Sequence, residues 1–304
     1  MNFTLHQLEI FQKVAETLSI TKTAEQLHLT QPAVSIQLKN FQNQFSYPLI
    51  EIIGKQVYLT DFGKEIALQT QKVLEEMKIM QYKTSAFQGI LSGKLKISVV
   101  STGKYVIPYF LTDFLHQNTG VELELDVTNR DQVLQDLKEN KVDFSLISIL
   151  PDNLSLEYEI LMKNRLHLVS NQSVKLNKKH DLNAYLTEVP LIFRELGSGT
   201  RSMVEKYLNA QNITVTRKMI LTSNEAVKQA LMAGFGCSIM PEIGIKNELK
   251  NGLLHLISCT GLPLESNWYL VWNKGKKHNQ VATHYLDYIQ QEKSKVMEKY
   301  FQNI

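Results

Sequence analysis

Cysteine is scarce in this chain of 304 residues: only Cys237 and Cys259 occur. They form no CxxC pair and are too few for a disulfide framework, so a reducing, cytoplasmic setting is expected. No apolar run approaches the roughly 18 residues of a membrane helix. The opening Met-Asn-Phe-Thr-Leu-His-Gln-Leu-Glu lacks a basic stretch followed by an apolar core, so no secretory signal is expected. Arginine is nearly as sparse, at Arg130, Arg165, Arg194, Arg201 and Arg217 alone. Residues 1–60 hold no arginine, and Lys13, Lys22, Lys39 and Lys55 are matched by Glu9, Glu16, Glu25 and Glu51. That neutral stretch, and a net charge of +3 for the whole chain, give no electrostatic case for nucleic acid. The eight histidines include no HExxH spacing and no neighbour in a cysteine pair, and no GxSxG elbow occurs. No catalytic constellation and no metal site are therefore expected. Cys237, within Gly-Phe-Gly-Cys-Ser-Ile-Met, reads as a buried, inert thiol.

What is present is ordinary globular material, 43% hydrophobic and 21% charged, enough for about two domains at roughly 150 residues each. Leu5, Leu8, Phe11 and Val14–Ala15 recur at helical spacing. Ser19 or Thr21 can cap a short second helix through Leu27, and His28-Leu29 makes a turn. Thr30 or Gln31 then precedes Pro32, which opens a third helix with Val34, Leu38, Phe41 and Phe45 on one face. Gln31, Ser35, Gln37, Lys39 and Gln42 lie on the other. A short helix, a tight turn and a helix with a polar outer face fit a helix-turn-helix, whose third helix would enter the major groove. A helical subdomain with a solvated face fits the same pattern. Ile52–Ile53 and Val57–Leu59 flank Gly54-Lys55 as a hairpin or wing, with Lys55 at its tip near a phosphate. Thr60-Asp61 caps a long helix over 60–88, whose Ile66, Val73, Met77 and Met80 form an apolar stripe. A dimer seam and intramolecular packing are the two readings of that stripe. Gly89-Ile-Leu-Ser-Gly93 is a plausible hinge.

From Lys94 onward strands and helices alternate, which argues for βαβ units and a largely parallel sheet. Four segments could hold an anion. Ser101 and Thr102 end the first strand at a helix start, with Lys104 beside them. Asn129-Arg130 opens another helix. Phe193-Arg-Glu-Leu-Gly-Ser-Gly-Thr-Arg201 offers Arg194, Gly197, Ser198, Gly199, Thr200 and Arg201 where a strand runs into a helix. Thr222-Ser-Asn-Glu-Ala226 adds Asn224, and Ser148 ends the third strand, where ligands gather in parallel sheets. Each also has a plain reading as capping, tight turn or packing.

Residues 19–63, from Ser-Ile-Thr-Lys-Thr-Ala-Glu-Gln-Leu-His-Leu-Thr-Gln-Pro-Ala-Val-Ser to Leu-Thr-Asp-Phe-Gly, resemble the N-terminal signature of LysR-type transcriptional regulators. The resemblance covers essentially the whole chain. It implies an α/β protein with an N-terminal all-α/winged part: a winged helix-turn-helix over 1–60 and a linker or dimerisation helix over 61–89. A two-lobed effector domain similar to periplasmic binding proteins would follow, with lobe I at 94–164 plus 270–304 and lobe II at 165–269. Thr30, Gln31, Pro32, Ser35 and Lys39 carry the implied DNA contacts. Many members have arginine where Ile36 and Ile52 stand and phenylalanine at Ile50, so part of the usual contact set is missing here. The effector-domain segments are similar to the branch of RuBisCO-operon regulators (CbbR-like), which implies a small anionic metabolite as effector and no other cofactor. The implied partners are double-stranded promoter DNA, a second copy through the linker helix, a homotetramer, and RNA polymerase; no membrane is implied. Two other readings stay open: a cytoplasmic small-molecule sensor without sequence-specific DNA function, and an enzyme holding a phosphorylated substrate in the Gly197–Arg201 loop.

Overall fold

The computed structural model describes all residues except 1, 55, 175, 177, 178, 303 and 304, with backbone only at 85–87 and 179–181. The chain divides into two compact units, Met1–Ile90 and Leu91–Ile304.

In the first unit, α1 (Leu5–Thr17), α2 (Ile20–Gln26) and α3 (Gln31–Gln42) each begin at a hydroxyl cap. Thr4 and Gln7 form a reciprocal capping box on α1, Ser19 accepts from the Lys22 amide, and Thr30 accepts from the Ala33 amide. The turn between α2 and α3 passes through His28 at φ 54°, a left-handed conformation. Phe11, Val14, Val34, Leu38, Phe41 and Leu49 close the core these helices share. The wing follows as β1 (Ile50–Ile53) and β2 (Gln56–Leu59), antiparallel with Ile50 opposite Leu59.

The long helix α4 (Asp61–Phe87) starts under a tight constraint. The Thr60 hydroxyl accepts from the Gly63 amide at 2.8 Å and donates to the Pro48 carbonyl at 2.6 Å. A β-carbon at Gly63 would lie 1.9 Å from the Leu49 carbonyl oxygen, so only glycine lets α4 seat against the chain entering the wing. The apolar stripe of α4 divides. Ile66 packs on the unit's own core, Met77 is half-buried, and Val73 and Met80 stand exposed beside Leu68 and Ile79.

The second unit carries a nine-stranded sheet. Its strands are β3 (Ser92–Val100), β4 (Gly120–Thr128), β5 (Phe144–Ile147), β6 (Leu156–Ser170), β7 (Leu191–Arg194), β8 (Lys218–Leu221), β9 (Cys237–Pro241), β10 (His255–Ile257) and β11 (Leu264–Asn273). The helices are α5 (Ile107–Gln117), α6 (Arg130–Lys138), α7 (Lys179–Glu188), α8 (Gly199–Ala210), α9 (Asn224–Met232), α10 (Lys246–Lys250) and α11 (Gln280–Phe301). The order is β4-β3-β5-β11-β6-β9-β7-β8, with β10 on β6.

The largely parallel sheet expected from the alternation is mixed instead. Pairing is parallel in two wings, β4-β3-β5 and β9-β7-β8, and antiparallel through β5-β11-β6-β9. The long strands β6 and β11 belong to both lobes. Leu161 and Met162 pack in the first lobe's core, whereas Leu166 and Leu168 pack in the second's. The charged Glu157, Glu159, Lys163 and Arg165 alternate along β6 and hide its first ten residues from an apolar-run search. On the return, Trp268 already belongs to the first lobe's core, two places before the expected boundary at residue 270. The expected hinge is shorter too: β3 takes in Ser92 and Gly93, and Gly89 supplies the left-handed turn at φ 75°.

Gly63→Ala is expected to destabilise the first unit by about 1–3 kcal/mol, the ordinary cost of overpacking. Urea denaturation followed by circular dichroism measures it. An unchanged midpoint would mean that the Leu49 backbone yields freely.

Candidate functional site

Two regions present chemistry. In the first unit the N-terminal turn of α3 is open. Thr30, Gln31 and Pro32 are exposed, Ser35 is half-buried, and Lys39 and Asn40 are exposed along the same helix. Gln37 Oε1 accepts from Gln7 Nε2 at 3.0 Å and ties α1 to α3. Ile36 is 58% exposed, and Ile52 and Ile53 are exposed on the wing. The surface is thus polar and apolar rather than cationic, with Lys13 paired to Glu16. Lys55 lies outside the described residues.

In the second unit a narrow cleft, about 360 Å³ with its open mouth included, lies where the carboxyl ends of β3, β4, β5 and β7 meet. Ser101, Thr102, Asn129, Arg130, Ser148, Arg194, Ser198, Gly199 and Thr200 line it, with the apolar Val100, Ile147 and Ile149. The hydroxyls of Thr102 and Ser198 make no capping hydrogen bond to the helices they precede. Asn129 does: its carbonyl oxygen accepts from the Gln132 amide at 2.9 Å and fixes the start of α6. Arg130 Nε is buried without a partner. Arg194 is only 5% exposed, and the Glu195 carboxylate grips it at Nε (2.8 Å) and Nη2 (2.7 Å). Its Nη2 also donates to Ser101 Oγ at 3.0 Å, from one lobe to the other.

Two guanidinium groups against one carboxylate leave the lining net positive. The twelve-residue helix α8 turns its N-terminus to the same space, adding unpaired amides and the positive end of a dipole. The lining is complementary in charge to a small anion.

Four candidates from the sequence do not line the cleft. Lys104 sits over the Tyr105 ring and lines a separate cavity with Lys228 and Lys246. Arg201 donates to Glu205 Oε1 (2.7 Å) and to the Arg194 carbonyl (3.1 Å), so it braces β7 against α8. Asn224 is 3% exposed and packed at the start of α9. Gly197 lies just outside the lining at φ 84°, where a β-carbon would come within 2.8 Å of Asp131 Oδ2. Glu195, the cleft's own carboxylate, was not singled out in the sequence, since Arg-Glu in tandem reads as ordinary surface charge. Its signal was its place at the end of β7.

Among the described residues no cluster of three or more His, Cys, Asp or Glu side chains could hold a metal. Among the same residues no helix is long and apolar enough to cross a membrane. Burial pushes the Cys237 thiol up to about 12, and its Sγ faces the Pro190 carbonyl at 3.6 Å. Burial also raises the half-buried Cys259 thiol. A raised value keeps each group protonated at neutral pH. We expect Ellman's reagent to leave Cys237 unmodified in the native protein and to count it only after unfolding. Rapid native labelling of both thiols would contradict its burial.

Comparison with known proteins matches both regions. Residues 5–64 fit the model of the bacterial regulatory helix-turn-helix protein, lysR family, and residues 88–294 fit that of the LysR substrate binding domain. The chain is 35% identical to the transcriptional activator CmpR of Synechocystis sp. over 289 residues, 95% of each chain. It is 34% identical to the RuBisCO operon transcriptional regulator of Allochromatium vinosum, over 97% of this chain and 98% of the other. Among solved structures, the regulatory domain of Synechocystis CcmR in complex with 2-PG is 26% identical. It covers 70% of this chain and 99% of its own at a TM-score of 0.58.

Proposed function

The chain belongs to the LysR family of transcriptional regulators, and from that premise we propose that it couples a small anion in the interlobe cleft to promoter binding by α3. The observation that carries the reading is the gathering of Arg130, Arg194 and the α8 N-terminus at one cleft, with Glu195 occupying Arg194. An incoming anion takes Arg194 from Glu195 and bonds Arg130, Ser101, Thr102, Ser148, Ser198 and Thr200. Because it touches both lobes, it favours their closed arrangement, and the difference in its contacts between arrangements is what moves the equilibrium. The similarity to the CcmR regulatory domain solved with 2-PG supports a small anionic metabolite of that kind. Similarity to RuBisCO operon regulators supports a carbon-fixation promoter as the target.

On DNA, Gln31, Ser35 and Lys39 reach base edges while Thr30, Pro32 and the Gln31 amide, the one N–H of the first turn of α3 that its cap leaves open, meet a phosphate. The helix-turn-helix match over residues 5–64 weighs against a sensor without DNA function. Fluorescence anisotropy on the DNA upstream of its own gene, with 2-PG and other small anions titrated in, tests the coupling. Arg130→Ala is expected to weaken the response to the anion about 10- to 100-fold, as for a lost charged hydrogen bond, and to leave DNA affinity unchanged. Glu195→Gln is expected to sharpen the response. Specific DNA binding indifferent to every anion, or to both substitutions, would sink the coupling.

The protein is further proposed to act in the cytoplasm as a homodimer through α4 that pairs into a tetramer. The exposed Leu68, Val73, Ile79 and Met80 supply an apolar face for the seam. Sedimentation velocity of Val73→Asp/Met80→Asp is expected to show a smaller species than the wild type. An unchanged sedimentation coefficient would place the seam elsewhere.

A further inference from the structure

The outward face of α3 carries Gln31, Pro32, Ile36, Lys39 and Asn40, all exposed. Ile36 stands in the middle of it, one helical turn after Pro32 and one turn before Lys39 and Asn40. Val34, Leu38 and Phe41 take the opposite face into the core, and Ile36 is left 58% exposed. A lone aliphatic side chain at a surface is ordinary. This one occupies the centre of the face that a helix-turn-helix lays along base edges, within the region of that match at residues 5–64. The inference therefore rests on the reading of α3 as the helix that enters the major groove.

In that groove the base pairs present hydrogen-bond donors and acceptors, and one apolar group, the 5-methyl of thymine. Ile36 neither donates nor accepts. Seated against guanine O6, adenine N6 or cytosine N4, it would strip water from a polar atom and return no hydrogen bond, which is costly. Seated against the thymine methyl, it removes apolar surface from water on both sides of the contact. Gln31 and Asn40, exposed on either side of it, are of the type that bonds adenine, so these polar neighbours suit A·T pairs as well. We propose that Ile36 is a specificity-determining residue, which reads one thymine in each half-site through its 5-methyl group.

Uracil differs from thymine by that methyl alone and keeps its pairing and its hydrogen-bonding edge. The DNA upstream of the protein's own gene is prepared with scattered deoxyuridine in place of thymidine and bound by the full-length protein. Bound and free fractions are then cleaved at uracil with uracil-DNA glycosylase and alkali. The expected result is interference at one thymine per half-site. Synthetic sites with uracil at that thymine alone are expected to bind about fourfold more weakly for each half-site changed, the worth of one buried methyl group. Ile36→Ala removes the aliphatic side chain at an exposed helix position, where alanine is the better helix former. This variant is expected to bind the thymine site more weakly than the wild type and to bind thymine and uracil sites equally. Specific binding with no thymine whose methyl matters overturns the assignment and leaves DNA reading by α3 standing. A uracil penalty that Ile36→Ala retains in full also overturns it, because another side chain then reads the methyl. Equal binding to this DNA and to unrelated DNA removes the assignment together with the reading it rests on.

Discussion

The antiparallel ladder between β6 and β11 is the constraint on which the effector region depends. These strands run unbroken from one hydrophobic core into another, with Trp268 and Met162 anchored on one side and Leu166 and Leu264 on the other. Because the chain crosses only there, the parallel wings β4-β3-β5 and β9-β7-β8 must present their carboxyl ends toward a common gap. The loops after β3, β4, β5 and β7 then have no choice but to meet. In open α/β sheets that edge is where ligands gather, since helix N-termini and unpaired amides collect there. The cleft follows from topology before any one side chain is considered.

The first unit meets a different problem, that of reaching an acidic polymer without positive charge. Its lysines are balanced by its acidic residues, and it has no arginine. What remains is directional chemistry: the open Gln31 amide at the helix end, a serine, a glutamine, and the single Lys39 on the α3 face. Such contacts favour shape and base edges over bulk charge, so the salt-dependent share of the affinity is smaller than in an arginine-rich relative.

Much of this was readable from the sequence because local chemistry spoke plainly. Thr30 before Pro32, and Thr60 before Asp61, marked helix starts that the caps confirm. Hydroxyls and glycines at strand ends marked the loops now found around the cleft. The rest depended on direction, which spacing does not carry. Lys104 and Arg201 stand at the right helix starts, yet their side chains turn to Tyr105 and Glu205. The first half of β6 was concealed by its own charges, whose partners, Lys293 for Glu159 and Trp272 for Glu157, come from distant segments. The apolar stripe of α4 looked uniform in sequence. It divides because only its first turns have a core to join.

Glu195 gives the cleft a property that affinity alone would not. At rest Arg194 is already satisfied, by a carboxylate one residue away that needs no diffusion to find it. A visiting anion competes with a tethered one, and its apparent affinity falls by the fraction of time Arg194 is otherwise engaged. On the function proposed for the cleft, this competition sets a detection threshold. Traces of a metabolite go unanswered, and the response begins only when the concentration outside rivals the effective concentration built into the chain. In that reading, adjusting one side chain beside the binding arginine resets the threshold without rebuilding the cleft.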